Sequence, residues 1–305
     1  MSRQLHPRAR RRVRAVAVVA LVAVSMLLLD SCTTLQNKEI LRLGDPPGIT
    51  NRTHSIHALW MWSWLAAIII GVVVWFLIIY AVIRFRRRSD DEVPVQFRYH
   101  LPLEILYTVA PVIIVVVLFV FTIRTQNEVL ASATNYNGKA QHQIDVVGQQ
   151  WSWTFDYVKD PALGGQTTVF EPGNTAYEPT LVLPVGQSVT FHLYSPDVIH
   201  SFWVPAFLFK LDVIPGKVNH FSVTPTRTGT FQGRCAELCG VYHSRMLFNV
   251  KVVQPAQFRS YLQKLKSEGN TGLALGGSQA RTEAGLKNAP HNGVGPHSIQ
   301  NGTGQ

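Results

Sequence analysis

Two uncharged apolar runs lying close together limit what this chain can fold into. Leu59–Ile83 and Ile105–Ile123 contain no Asp, Glu, Lys or Arg. The first is long enough to cross a hydrocarbon core of about 30 Å as a helix. It carries Trp60, Trp62 and Trp64 at one end and Tyr80 near the other, as interfacial aromatics are placed. The second is shorter and contains Pro111, which a membrane helix tolerates. The competing reading, two buried core helices of a soluble protein, fits poorly with these lengths.

The charge pattern orients the two spans. The 305-residue chain has 28 Lys+Arg against 18 Asp+Glu, a formal charge of +10. Much of the excess sits at Arg8, Arg10, Arg11, Arg12 and Arg14 and at Arg84, Arg86, Arg87 and Arg88. Cationic residues remain on the cytoplasmic side, so Arg84–Arg88 is cytoplasmic and everything after Arg124 is extracytoplasmic. Nucleic-acid binding is the other use of a basic chain, but the polar half has no basic patch interleaved with aromatics. Ahead of the spans, Val13–Leu29 follows the arginines and ends at Leu29-Asp30-Ser31-Cys32, which reads as a secretory signal over residues 1–32. The ending resembles a lipoprotein cleavage site at Cys32, although Asp30 is an awkward neighbour for it. An uncleaved anchor is the alternative.

Beyond the second span the pattern becomes that of short strands. His142–Val147, Thr180–Val182, Ser188–Tyr194, Asn219–Val223 and Met246–Val253 are β-like, several with alternating apolar and polar residues. Turns are signalled at Pro172-Gly173, Pro184–Gly186, Pro215-Gly216 and Thr228-Gly229. Closely spaced short strands predict a β-sandwich or barrel. Pro255–Lys266 places Phe258, Tyr261, Leu262 and Leu265 at helical spacing. From residue 267 the composition is rich in Gly, Asn and Ser, which predicts a disordered tail over 267–305.

The chemistry is concentrated in Cys235-Ala-Glu237-Leu-Cys239-Gly-Val-Tyr-His243-Ser-Arg-Met246. Two thiols, an imidazole and a thioether within one short segment are soft ligands that select copper or zinc over hard cations. Met is a poor zinc ligand. A single Cys with His and Met suits one copper ion, whereas two Cys on one loop can bridge two. A further His is required, and His200 in Ser-Pro-Asp-Val-Ile-His-Ser-Phe-Trp-Val-Pro is the candidate. A Cys235–Cys239 disulfide is the plain alternative in an oxidising compartment, and the adjacent His and Met argue against it. His142, His192 and His220 lack such partners and read as structural.

The Cys-x-Glu-x-Cys-x-x-x-His-x-x-Met pattern behind a strand-end His resembles the copper A motif of cytochrome c oxidase subunit II, a motif that nitrous oxide reductase shares. Val-Gly-Gln-Gln-Trp151-Ser-Trp153 and Lys210-Leu-Asp212-Val-Ile-Pro-Gly-Lys217 resemble two further oxidase segments. The likeness covers about Ser55–Leu265. It implies an α+β membrane protein: a transmembrane hairpin over 55–125, then an all-β cupredoxin-like sandwich on the extracytoplasmic side over 126–266. It also implies that Cys235 and Cys239 bridge two coppers. His200 and Met246 would complete one ion, and His243 and the Glu237 carbonyl the other. The Glu237 carboxylate would reach a magnesium shared with subunit I. Trp151 would be where electrons enter from cytochrome c, or from a cytochrome c domain of a bc complex, or else a packing residue of the sandwich. Glu104 would sit at the mouth of a proton pathway, or else be a solvated helix-end residue.

On this resemblance the chain is an electron-transfer subunit of an aa3-type, proton-translocating oxidase. It sits in a bacterial cell membrane among lipid, beside subunits I and III. Gln149 and Ser152 stand where the family often has His and Tyr, and Lys217 where Arg is common. These departures bear on donor docking and haem contacts rather than on copper. A quinol oxidase subunit would not need the ligand set, and nitrous oxide reductase would need a much larger catalytic domain. A tethered copper carrier or sensor would need to exchange its metal readily.

Overall fold

The computed structural model describes residues 40–89, 92–93, 96–131 and 141–274. The expected signal segment, Cys32 and the chain beyond residue 274 lie outside them. The chain forms two compact units, residues 1–46 and 47–305. In the first, the Arg42 Nε–H donates to the Asp45 carbonyl (2.9 Å) within a short turn.

The second unit begins with two long helices, α1 (Thr53–Arg84) and α2 (Leu101–Val129). Both are longer than the apolar runs that predict them. At 1.5 Å per residue, the 32 residues of α1 span about 48 Å, so the helix continues past the hydrocarbon core towards the external domain. Helix α2 starts with Pro102 in its first turn and is capped reciprocally at its start. Leu103 N–H donates to His100 Nδ1, and His100 N–H donates to Glu104 Oε1. The outer ends of the helices are tied together. Ser55 Oγ–H donates to the Glu128 carboxylate (2.7 Å), and the Arg52 guanidinium donates to the Ala131 carbonyl (3.3 Å).

Among the described residues, ten strands then form two five-stranded sheets. One has the order β3-β2-β1-β5-β8 and the other β4-β10-β9-β6-β7. The strands are β1 (His142–Gln149), β2 (Ser152–Tyr157), β3 (Val169–Pro172), β4 (Thr180–Pro184), β5 (Val189–Tyr194), β6 (His200–Val204), β7 (Phe209–Val213), β8 (Asn219–Val223), β9 (Gly229–Cys235) and β10 (Leu247–Val253). β1 runs parallel to β5 and β10 parallel to β4, and the other pairs are antiparallel. β5 alternates buried and half-buried residues along its whole length, the period-2 pattern of a sheet with one face in a core.

The inner faces meet in an aromatic core. Trp153, Phe155, Phe191, Phe202, Phe221 and Phe248 are all buried, and Phe248 stacks on Phe202 with centroids 5.0 Å apart. Gly233 lies opposite Phe248 in the β9–β10 register, and the Phe248 ring fills the space that a side chain there would need. Burying one such ring is worth roughly 1.5–3 kcal/mol. Helix α3 (Pro255–Ser267) covers one edge through Phe258, Leu262 and Leu265.

Two features depart from the expected boundaries. Residues 49–51 belong to the sandwich although they precede α1. Ile49 is fully buried, its N–H donates to the Ala206 carbonyl, and its own carbonyl accepts from Thr226 N–H. Residues 268–274, expected to open a disordered tail, instead run along β3. Phe170 N–H donates to the Asn270 carbonyl, Gly272 N–H donates to the Thr168 carbonyl, and Ala274 N–H donates to Asp156 Oδ1 (2.9 Å). Composition signals solubility here, but backbone pairing at a sheet edge needs no apolar side chains.

Asp156 is fully buried, and its Oδ2 has no hydrogen-bond partner. Burial, with the Asp145 charge beside it, outweighs the Ala274 hydrogen bond and pushes its pKa from 3.8 up to about 7. The folded chain keeps this proton across a pH range where the unfolded chain has lost it, so stability falls as pH rises from about 4 to about 7. Asp156→Asn should therefore match the parent near pH 4 and exceed it at pH 8, by at most about 4 kcal/mol. Urea unfolding of the detergent-solubilised chain at both pH values checks this, and a constant difference between the two would refute it.

Candidate metal centre

The cluster forms where the second sheet ends. β9 and β10 are antiparallel neighbours, and Cys235 N–H donates to the Met246 carbonyl (3.0 Å). That bond closes the loop from Cys235 to Met246. β6 pairs with β9 so that Phe202 lies opposite Cys235, and Ala236 N–H donates to the Ser201 carbonyl. His200, the first residue of β6, is thereby brought beside the loop.

The donor atoms converge. His200, Cys235 and Cys239 place their ligand atoms within 4.8 Å of one another, and all three residues are buried. The two sulfurs are 3.9 Å apart and both cysteines are free. Disulfide bonding needs about 2.05 Å, so the disulfide alternative is not realised. His200 Nδ1 lies 3.9 Å from Cys235 Sγ, and His243 Nδ1 lies 3.5 Å from Cys239 Sγ. Met246 Sδ, fully buried, is 3.8 Å from Cys239 Sγ. The Glu237 carbonyl is 3.3 Å from Cys235 Sγ, while the Glu237 side chain is exposed. The structure thus brings together the predicted donors: His200, Cys235, the Glu237 carbonyl, Cys239, His243 and Met246.

Trp151 occupies the tight β1–β2 turn, where Gln149 and Ser152 pair. It is half-buried, and its Nε1–H donates to the Cys239 carbonyl (3.1 Å). Gln150 Nε2–H donates to the same carbonyl (2.8 Å). The Trp151 ring meets Tyr242 edge-to-face at 5.1 Å. Gly240 has φ +123°, which disfavours a side chain, and a Cβ there would also meet the Trp151 ring at 3.0 Å. Glu104 lies at the opposite, cytoplasmic end of the chain's span, in the cap of α2.

Two supporting residues are given no part in the site by the sequence alone. Asp197 Oδ1 is 2.9 Å from His200 Nε2, and Asp197 also accepts from the N–H groups of Gln150 and Val198 (2.6 Å each). A carboxylate on the far nitrogen fixes the ring and leaves Nδ1 facing the sulfurs. The signal was an acidic residue three positions before a candidate ligand histidine. Trp153 is the second: its Nε1–H donates to the Met246 carbonyl (3.2 Å), and its ring packs edge-on to His200.

The electrostatics are asymmetric. Burial disfavours charge on Asp197, yet its bonds from His200, Gln150 and Val198 hold its carboxyl below the usual range. Burial likewise disfavours the His200 imidazolium, and Asp197 and Cys235 overcome that and raise its pKa. Cys235 loses stabilisation to burial and regains more from His200 and nearby backbone, which brings it down to about 7. Burial and then the neighbouring Cys235 push Cys239 up to about 12. One thiolate forms readily, and the second requires a cation to hold it. Two thiolates, two imidazoles and a thioether suit copper rather than hard cations, and the donors present fit a copper A-type site.

The comparisons agree with this geometry. The family model "Cytochrome C oxidase subunit II, transmembrane domain" matches residues 44–125, and "Cytochrome C oxidase subunit II, periplasmic domain" matches residues 142–253. The probable cytochrome c oxidase subunit 2 of Streptomyces avermitilis is 45% identical over 283 residues, covering 82% of this chain and 88% of its own. This chain belongs to the cytochrome c oxidase subunit II family. Cytochrome c oxidase subunit 2 of Mycobacterium tuberculosis is 34% identical over 306 residues, covering 83% of this chain and 82% of its own. Among solved structures, the periplasmic domain of subunit II of cytochrome oxidase from Bradyrhizobium japonicum is 31% identical, with a TM-score of 0.38. It covers 43% of this chain and 96% of that one. The chain is therefore a subunit of the cytochrome c oxidase complex, a membrane protein with two transmembrane helices and an external cupredoxin-like domain.

For this subunit II, Asp197→Asn should leave the sandwich folded and lower copper affinity by about 10–100-fold, the usual cost of losing a carboxylate that orients a ligand histidine. Chelator competition on the full chain, with near-ultraviolet circular dichroism as the fold control, checks this. Parent-like affinity would remove Asp197 from the site.

Proposed function

We propose that this chain receives electrons one at a time from cytochrome c at a dinuclear copper A centre. It delivers them to haem in subunit I of an aa3-type oxidase, where oxygen reduction drives proton translocation. The observation that carries the reading is the convergence of two free, buried thiols with His200, His243 and Met246 on one rigid sheet end. Cys235 and Cys239 would bridge two copper ions. His200 with Met246 would complete one, and His243 with the Glu237 carbonyl the other. Bound there, copper supplies one-electron chemistry.

The protein's part is to hold these donors still. Asp197 holds His200 through Nε2, and the Trp153 ring packs edge-on against it. The Cys235–Met246 backbone bond fixes the two ends of the loop. Such support keeps the ligands in place whatever the charge at the site. The exposed Glu237 carboxylate is free to reach a magnesium ion shared with subunit I. Trp151 joins the surface to the Cys239 carbonyl and is the proposed point of electron arrival. Glu104, half-buried in the first turn of α2, is the proposed mouth of a proton pathway. Subunits I and III and lipid would cover the exposed apolar faces of α1 and α2. A cytochrome c domain of a bc complex is the other form the donor could take.

Metal analysis and electron paramagnetic resonance of the copper-loaded full chain test the centre. Two coppers sharing one unpaired electron are expected, and Cys239→Ser should abolish that signal. One copper per chain in the parent would sink the dinuclear reading. In the assembled oxidase, Trp151→Ala should slow turnover with cytochrome c at least tenfold, since removing a central aromatic contact costs about 2 kcal/mol or more. Turnover with a small artificial reductant should be preserved, and equal loss with both donors would make Trp151 a packing residue only.

A further inference from the structure

A row of ionisable side chains lies on the outer face of the other sheet. Asp156 on β2 is the cross-strand partner of Asp145 on β1, Asp145 is the partner of His192 on β5, and His192 is the partner of His220 on β8. Direct cross-strand partners project from the same face. Four ionisable side chains therefore form one row across four strands, outside the aromatic core and on the sheet that does not carry the thiols.

The row is graded in exposure. Asp156 and Asp145 are buried, the His192 side chain is 27% exposed, and His220 is exposed. His192 Nδ1 lies 3.2 Å from Asp145 Oδ1. Asp145 is itself steadied by Gln143 Nε2–H at 3.1 Å. The His192 and His220 ring centroids are 6.3 Å apart, with the ring planes tilted by 50°.

We propose that His192 and His220 form a surface site for a borderline divalent transition-metal ion of the zinc or cupric class, with Asp145 as a positioning residue. The chemistry follows from the row. A ligating imidazole characteristically gives its second nitrogen to a carboxylate, which fixes the tautomer and raises the basicity of the first. Asp145 does this for His192 at Nδ1 before any ion arrives, which leaves Nε2 as the nitrogen for the metal. Two imidazoles suit zinc, copper and nickel over magnesium or calcium. A shared ion needs each nitrogen about 2.0–2.1 Å away. Directly opposed side chains start from Cβ atoms about 4.5–5.5 Å apart, so rotation of the exposed His220 closes the gap and water fills the remaining positions. His220 is on the edge strand β8, so the ion would clip that edge to β5. The site uses none of the copper A donors.

Zn2+ titration by calorimetry of the copper-loaded full chain in detergent tests this, with copper A absorbance followed throughout to show that zinc does not displace copper. Wild type should bind one Zn2+ with micromolar affinity and gain thermal stability from it. His220→Ala, an exposed change that leaves the fold intact, and His192→Ala should each abolish that binding event. Asp145→Asn should weaken it by about tenfold or more. Zinc binding and thermal stabilisation unchanged in His220→Ala, or absent from wild type, would overturn the site.

Discussion

The hydrogen bond from Cys235 N–H to the Met246 carbonyl closes the loop on which the centre depends. It sets the backbones of Cys235 and Met246 side by side, and Cys239 Sγ lies 3.9 Å from the first thiol and 3.8 Å from the thioether. A loop free to breathe would separate four donors that only weak sulfur contacts otherwise hold together. Much of the surrounding structure acts on this closure. Trp153 donates to the same Met246 carbonyl, and Trp151 and Gln150 both donate to the Cys239 carbonyl. Both tryptophans belong to the first sheet or its hairpin turn, so the loop of one sheet is gripped by the other. The aromatic core between the sheets makes that grip rigid.

Burial works against the charges that the site uses, and neighbouring dipoles offset it unequally. Asp197 stays charged because two backbone N–H groups and an imidazole point at it. That charge sustains His200, and His200 in turn lowers Cys235. The chain of support ends there. Cys239, next to an ionising neighbour, is left with a proton that only a stronger positive charge displaces. Metal binding and deprotonation are thus linked, and the metal-free pocket is spared two adjacent buried thiolates.

What the sequence made legible was whatever depends on local pattern. The two spans followed from uninterrupted apolarity, and β8 (Asn219–Val223) from composition and turns. The donors Cys235, Cys239, His243 and Met246 lie in one short segment, and their types alone suggested copper. Other features depend on pairing between distant residues. Asp197 meets Gln150 across 47 positions, and Asn51 meets Thr224 across 173. Neither contact has a periodicity to detect. β2, with Trp153 and Phe155 facing inward, reads in sequence as an aromatic stretch rather than a strand. Residues 268–274 read as tail in sequence because edge pairing uses backbone groups, to which composition is blind. His192 and His220 read singly as structural, since only the β5–β8 register makes them a pair.

The attachment of α1 to the sandwich explains how an external domain keeps its aim. A sandwich hung from α2 alone would swivel about a single connection. Instead the segment before α1 enters the fold: Ile49 is in the core and Asn51 exchanges hydrogen bonds with Thr224 in both directions. Ser55 and Glu128 then join the outer ends of both helices. The domain is held at two points rather than one, which resists rotation in the membrane plane. Leu238 and Val241 are 79% and 83% exposed beside the buried thiols, and under the proposed function this rim is where the oxidase partner would sit. A centre whose rim must meet a partner needs its orientation set before the partner arrives, and the paired anchorage of α1 and α2 sets it.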